Sequence, residues 1–377
     1  MNAPGTAKST TFPEPNMSPV LTGVGLPSSP STRISTFGIA SPTSTPMLTS
    51  LCLLSNKSSK LSLLVLGQQL VKVLHLPTIT MNTWIVWRRE NLLSINFNRG
   101  EIMKVELLAE HIGAEITDIS IDSLDERQIS EIKQAWLKHK VLVFRDQNIS
   151  IKSHIEFGKL FGDLEIHPFA DNHEDYPEVI VLEAGGETSR QHYNAAQDWH
   201  IDVSFREKPP TGSILRGKVI PEYGGDTHFS NASIAYQMLD PEIRNRVDSL
   251  FAVNDYTKMF GPSTRFNDEK SHKENSKKFP PVLHPVIRSH PETGHRSIFT
   301  NNFFTSHIDG ISSEESDYLL GKLAEAIRNP DLHLRIKWEP ETFVMWDNRC
   351  VQHVASDDFL PSYRRMERVT IAGDRPY

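Results

Sequence analysis

Hydrophobic and polar positions divide this chain at Met103. Beyond it, short apolar runs alternate with turn residues at close intervals, the rhythm of a β-rich domain. Residues 104–108 and 114–121 read as strands around a turn at Gly113. Ser123-Leu124-Asp125-Glu126 reads as a capping box opening a helix that buries Ile129, Ile132 and Trp136. Val141-Leu142-Val143-Phe144 is a fully apolar strand, and Ser150 caps a second helix carrying Phe157, Leu160 and Phe161. Strands follow at 179–182 and 214–219. After the Gly224-Gly225 turn, 227–230 is expected to pair back. Asp240-Pro241 opens another helix. Residues 256–281, charged and rich in Lys, Asn, Ser and Pro, predict a long mobile loop. Ser312 to Glu315 form a second capping box, with Leu319, Leu320, Leu323 and Ile327 as the apolar stripe of its helix. An apolar strand at 342–346 ends in the turn Asp347-Asn348. Short strands with a few peripheral helices predict a mainly β (α+β) domain over 103–377, a double-stranded β-helix or jelly roll.

One stretch organises the rest. Residues 198–205, Asp-Trp-His-Ile-Asp-Val-Ser-Phe, alternate with period two and predict a half-buried strand. His200 and Asp202 would then share a face, about 7 Å apart at roughly 3.3 Å per residue. Trp199, Ile201, Val203 and Phe205 would pack the other face. An imidazole and a carboxylate so placed supply two of the three ligands of a 2-His-1-carboxylate iron site. His353, where the chain re-enters the sheet, is the candidate third; alone it reads as a structural histidine. Arg364 and Arg368 share one face of a terminal strand. Buried arginine needs an anion, and its planar fork takes a carboxylate bidentately. With no evident internal carboxylate to pair them, they imply an anionic small molecule; the alternative is two surface arginines. His228 reads as an outward bystander and Cys350 as a core residue.

Charge and composition narrow the classes. Eight of the 40 Lys and Arg, but three of the 47 Asp and Glu, lie before Met103, so the globular part is acidic. That excludes nucleic acid as its main partner, because phosphate contacts need clustered Lys and Arg. Two cysteines allow no disulfide framework and point to a reducing cytoplasm. The apolar run at 61–76 is broken by Gln68, Gln69, Lys72 and His75, too short and polar to span a bilayer. Residues 1–60, rich in Ser, Thr and Pro, are expected to be disordered. Neither a secretory signal nor an Arg-rich leader is visible. Asn98-Arg99-Gly100-Glu101-Ile102 reads like a translated ribosome-binding site. Met103 is therefore expected to be the natural start, with 1–102 a disordered or non-native extension; the intact mass of natively expressed protein tests this.

The combined motifs resemble the Fe(II)/2-oxoglutarate-dependent dioxygenases of the taurine dioxygenase and 2,4-D dioxygenase group. The resemblance covers 103–377. It rests on Trp199-His200-Ile201-Asp202-Val203, Gly224-Gly225-Asp226-Thr227, and Trp346-Asp347-Asn348-Arg349 running to His353, Arg364 and Arg368. It implies that His200, Asp202 and His353 hold Fe(II), and that Thr227 and Arg364 bind the distal carboxylate of 2-oxoglutarate. Arg368 would face the anionic group of the substrate; His167 either binds that anion too or belongs to a structural His167-Pro168 turn. The implied reaction consumes O2 and 2-oxoglutarate, releases succinate and CO2, and hydroxylates a C–H bond. A carboxylate at 202 in place of Ala or Gly argues against halogenation. Taurine recognition in the family also uses a Tyr and an Asn; here Ala170 and Ala196 stand in those places. A bulkier anion is expected: an alkyl sulfate, a sulfonate or an aryloxy acid. The 256–281 loop would close over it. Two other readings stay open: a non-catalytic jelly-roll protein that binds metal and 2-oxoglutarate, and taurine dioxygenase proper. Whether the chain is a monomer or a homo-oligomer is also open.

Overall fold

The computed structural model describes residues 103–167, 170–186, 198–262 and 269–377, and, within 1–102, the backbone of strands alone. The chain forms two units, Met1–Gly100 and Glu101–Tyr377. In the first, Arg33–Phe37, Ser50–Ser55, Leu61–Gly67 and Leu70–His75 form an antiparallel meander. Thr83–Arg88 and Asn91–Asn96 form a hairpin.

Two of the sheets in the second unit frame the site. The larger runs, in spatial order, Val179–Ala184, Arg364–Ile371, Gly212–Val219, Phe343–Asp347, Val141–Phe144, Ala114–Thr117 and Lys104–Leu107. All its pairs are antiparallel save Ala114–Thr117 with Val141–Phe144. The smaller sheet holds His333–Ile336, Thr227–Asn231 and Val351–Ala355, extended by a bridge between His200 and His353. Thr227–Asn231 thus does not pair back on its predecessor. Gly224 and Gly225, at φ +76° and +74°, carry the chain across to the opposite sheet, a path that L side chains rarely follow.

The central strands Val141–Phe144 and Phe343–Asp347 of the larger sheet are buried at every position, which is why they read as unbroken apolar runs. Val141, Val143, Leu215, Val344, Trp346 and Met366 point inward and meet Phe229, Leu334 and Ile336 of the smaller sheet. Their neighbours Leu142, Phe144, Ile214, Met345 and Val369 point outward onto Ile132, Trp136, Ile155 and Phe157. Those four come from the helices Glu126–His139 and Ile151–Lys159. Each such side chain contributes about 1.5–3 kcal/mol of burial.

Two local expectations change. Asp125, not Ser123, caps the first helix, because Gln128 three residues on completes the box from Asp125. Ser150, Asp240 and Ser312 cap theirs as read. Within 256–281, Tyr256–Lys258 is a 3-10 turn and Glu269–Lys278 an α-helix; 263–268 lie outside the described residues. That helix buries none of its side chains, so it carries no apolar stripe for periodicity to reveal.

Candidate metal and cosubstrate site

The stretch 198–205 is not a strand. His200 alone enters a sheet: its N–H donates to the His353 carbonyl and its carbonyl accepts from the His353 N–H, both at 3.0 Å. The chain then turns, with Val203 at φ +47°, unusual for a β-branched residue. Every residue from His200 to Phe205 is buried, so the polar positions of the alternation face inward as well. Phe205 packs edge-on against Tyr256, Phe260, Phe279 and Phe304. The 256–281 segment, expected to be loose, is thereby pinned at both ends to the turn that carries Asp202.

This path brings the three predicted ligands together. Asp202 Oδ1 lies 3.9 Å from His200 Nε2 and 3.9 Å from His353 Nε2. The three donor atoms fall within 4.8 Å of one another. His200 Nδ1 sits 2.9 Å from the Asp198 carbonyl, which fixes the proton there and leaves Nε2 with a lone pair. His200 stacks on Phe303, and His353 lies against Trp346 and Phe229. Burial lowers the affinity of both imidazoles for protons, taking His353 down to about 3, with His200 and Arg368 adding to the effect. Burial opposes ionisation of Asp202, but Arg368, His353, His200 and the Ser213 hydroxyl outweigh it and hold the carboxyl below its usual range. Two neutral imidazoles and one carboxylate are the donor set that suits ferrous iron, and all are in the protonation state a metal requires.

Arg364 and Arg368 project inward on either side of Met366. Arg368 has a carboxylate partner after all. Its terminal nitrogen is 2.9 Å from both Asp202 oxygens. Sequence spacing could not reveal that, because Asp202 arrives from a turn and not from a strand. Among the described residues, the buried Nε of Arg368 has no hydrogen-bond acceptor. The Arg364 guanidinium lies over the rings of Trp338 and Phe359. Gly225 is at φ +74°, where an L side chain is strained, and a Cβ there would also come within 3.2 Å of Arg364 Nε. Thr227 Oγ1 accepts a hydrogen bond from Trp338 Nε1 at 3.0 Å, which ties it to the same corner.

His167 is nearby: burial takes it down to about 3, and Arg368 and Asp202 are among the charges it feels. Its Nδ1 accepts the Ala170 N–H at 2.9 Å, so the neutral ring carries its proton on Nε2. Ala196 lies outside the described residues. His228 is half-buried on the outer side of its strand, and Cys350 is in the core. Ser213, Trp338, Phe303 and Asn348 all support the site, and sequence reading gave none of them a role. For Asn348 a signal existed, since it stands inside a quoted motif.

A model of the taurine catabolism dioxygenase TauD, TfdA family matches residues 104–370. An alkylsulfatase of Acinetobacter baylyi is 34% identical over 284 residues, 74% of this chain and 87% of that protein. An alpha-ketoglutarate-dependent sulfate ester dioxygenase of Pseudomonas putida is 33% identical, over 73% of this chain and 91% of that protein. A solved taurine dioxygenase from Burkholderia xenovorans superposes with a TM-score of 0.62 at 33% identity, covering 73% of this chain and 90% of that one. The chain belongs to the taurine catabolism dioxygenase TauD, TfdA family, and is an Fe(II)- and 2-oxoglutarate-dependent dioxygenase.

Proposed function

We propose that His200, Asp202 and His353 hold the iron, that Arg364 and Thr227 grip the far carboxylate of 2-oxoglutarate, and that Arg368 and His167 receive an anionic substrate. That substrate is a sulfate ester, a sulfonate or an aryloxy acid, and the domain responsible spans 103–377. The observation that carries the reading is convergence: three donor atoms within 4.8 Å, with two inward guanidinium groups on the adjacent strand.

Bound iron supplies the oxidation of 2-oxoglutarate by O2, with loss of CO2 and formation of succinate, coupled to hydroxylation of a substrate C–H. The protein's own groups supply binding and orientation. Arg364, set by two aromatic rings and by Gly225, offers a fixed positive fork at one end of the site, which holds the dicarboxylate in one orientation. Charge supports a monoanionic substrate. A ferrous ion, Asp202, Arg364 and Arg368 together leave three positive charges; the 2-oxoglutarate dianion cancels two, and the substrate the third. His167, neutral and half-buried within the influence of Arg368 and Asp202, completes the proposed substrate side of the site.

Taurine itself is disfavoured, because Ala170 brings no hydroxyl to its ammonium group. Hydroxylation at a carbon bearing sulfate, sulfonate or aryl ether oxygen gives a product that breaks that bond and leaves a carbonyl compound. A cytoplasmic location is part of the proposal, on the cysteine content and the buried free thiol of Cys350. Among the described residues, no helix is long and apolar enough to cross a membrane.

A panel of alkyl sulfates, sulfonates and aryloxy acids, scored by succinate formation, tests the substrate class. Stimulation by at least one anionic member, and none by its uncharged alcohol, is the expected result. Equal stimulation by the uncharged alcohol would contradict it.

A further inference from the structure

The Asp347-Asn348-Arg349 turn has no part in the chemistry above, yet it lies directly behind Asp202. We infer that Asn348 is the positioning residue for the metal-binding carboxylate, and that Asp347, Arg349 and His290 form the rigid bracket that aims it.

The Asn348 carboxamide commits both its N–H donors and its oxygen to two distant segments. Its Oδ1 accepts the Asp202 N–H at 2.9 Å, and its Nδ2 donates to the carbonyls of Asp202 and Pro210, each at 3.1 Å. Its backbone N–H donates to the Thr211 carbonyl at 3.0 Å. Pro210 and Thr211 lead into Gly212–Val219, whose Ser213 donates to Asp202 Oδ2 at 2.9 Å. One side chain therefore sets both the backbone of Asp202 and the origin of the strand that steers its second oxygen. With Oδ2 held by Ser213, Oδ1 is the oxygen turned toward the two imidazoles. A clamp is needed here, because Asp202 precedes Val203 in the left-handed region, a conformation that persists only where its surroundings over-determine it.

The bracket is itself buried and saturated. Asp347 Oδ1 accepts from the Arg349 N–H at 3.0 Å and from Arg349 Nε at 2.8 Å. Its Oδ2 accepts from Arg349 at 2.7 Å and lies 2.9 Å from His290 Nε2. His290 Nδ1 accepts the N–H groups of Glu292 and Thr293. The Arg349 guanidinium sits over Trp136 of the first helix. Although His290, Asp347 and Cys350 come close enough to hold a metal, no lone pair of the histidine is left to do so. Burial also pushes the Cys350 thiol up, well above neutrality. The cluster is a support, not a second metal centre.

The inference rests on Asp202 being a ligand, so the two are tested side by side by titrating Co(II) into the metal-free protein and following its visible d–d absorption. Asn348→Asp keeps the acceptor for the Asp202 N–H but loses both donations, while adding a negative charge near the ion. If Asn348 only contributed charge, Co(II) would bind more tightly. Positioning demands the opposite sign: affinity falls by roughly 10- to 100-fold, as for other groups that orient a ligand, and the d–d band changes. Asn348→Ala adds no charge and is expected to fall as well. Ser213→Ala, which leaves the bracket intact, is expected to lose several-fold. Ser230→Ala removes a buried hydrogen bond elsewhere and is expected to leave the affinity unchanged. Tighter or unchanged binding in Asn348→Asp, or unchanged binding in Ser213→Ala should the Asn348 variants not fold, overturns the inference. If Asp202→Asn binds Co(II) like the wild type, the ligand assignment itself fails. If only Asp202→Asn loses the ion, the assignment stands and the bracket alone falls.

Discussion

Two buried clusters in this domain have nearly the same composition, and opposite roles are proposed for them. His200, Asp202 and His353 stand beside Arg368; His290, Asp347 and Cys350 stand beside Arg349. In the first, the imidazole nitrogens stop 3.9 Å short of the carboxylate oxygen and keep their lone pairs. In the second, His290 Nε2 and Asp347 close to 2.9 Å and the ring's Nδ1 accepts two backbone N–H groups, although an arginine takes both carboxylate oxygens in each cluster. Residue type and burial do not distinguish a metal centre from a structural knot. What distinguishes them is whether lone pairs are already committed to protons.

Removing each carboxylate separates the two clusters most sharply. Asp202→Ala is expected to abolish succinate-coupled hydroxylation and metal binding in a protein that still folds, measured by turnover and Co(II) titration. Asp347→Ala is expected to cost about 3–5 kcal/mol of stability, because it leaves the Arg349 charge buried without its main partner; urea unfolding of the metal-free protein measures it. Retained turnover in the first variant, or unaltered stability in the second, would erase the distinction. Next in size is Arg364→Ala. Losing a charged hydrogen-bonding group of about 1.5–3 kcal/mol is expected to raise the KM for 2-oxoglutarate some tenfold to a hundredfold, with kcat at saturation largely kept.

The smallest expected effect concerns acid. His154 is fully buried and lies down at about 3, and His284 down at about 4, burial being the first cause in each. The unfolded chain takes up these protons near pH 6.5, whereas the folded chain does so only below 4. Stability is therefore full above about pH 6.5 and falls as pH drops below it. His154→Gln is expected to remove about one proton from the slope between pH 6 and 4, read from urea midpoints against pH. An unchanged slope would mean that His154 is protonated in the folded state.

Much of the site was legible in the sequence because its residue types are chemically expensive to bury. Two histidines and an aspartate inside an apolar pattern need partners, and they do come together with Arg368, while Arg364 lies on the same face of that strand. The strands at 141–144 and 342–346 were legible through their unbroken apolar runs. What was not legible was geometry that depends on the partner element. The alternation at 198–205 described a buried turn, since period two counts polar positions without saying that they face outward. The strand at 227–231 pairs with other neighbours than its pattern predicts, because two adjacent glycines at positive φ can send a chain to either sheet. The Arg368–Asp202 pair and the Asn348 clamp each join residues more than a hundred positions apart, and local pattern carries no trace of such contacts.

The most direct test is anaerobic addition of Fe(II) and then 2-oxoglutarate, followed by visible absorption. Wild-type protein and Cys350→Ser should both develop the metal-to-ligand charge-transfer band of a chelated keto acid. His353→Ala should develop none, and Arg364→Ala should do so only at higher 2-oxoglutarate. A band of wild-type intensity in His353→Ala, or its loss in Cys350→Ser alone, would place the iron elsewhere.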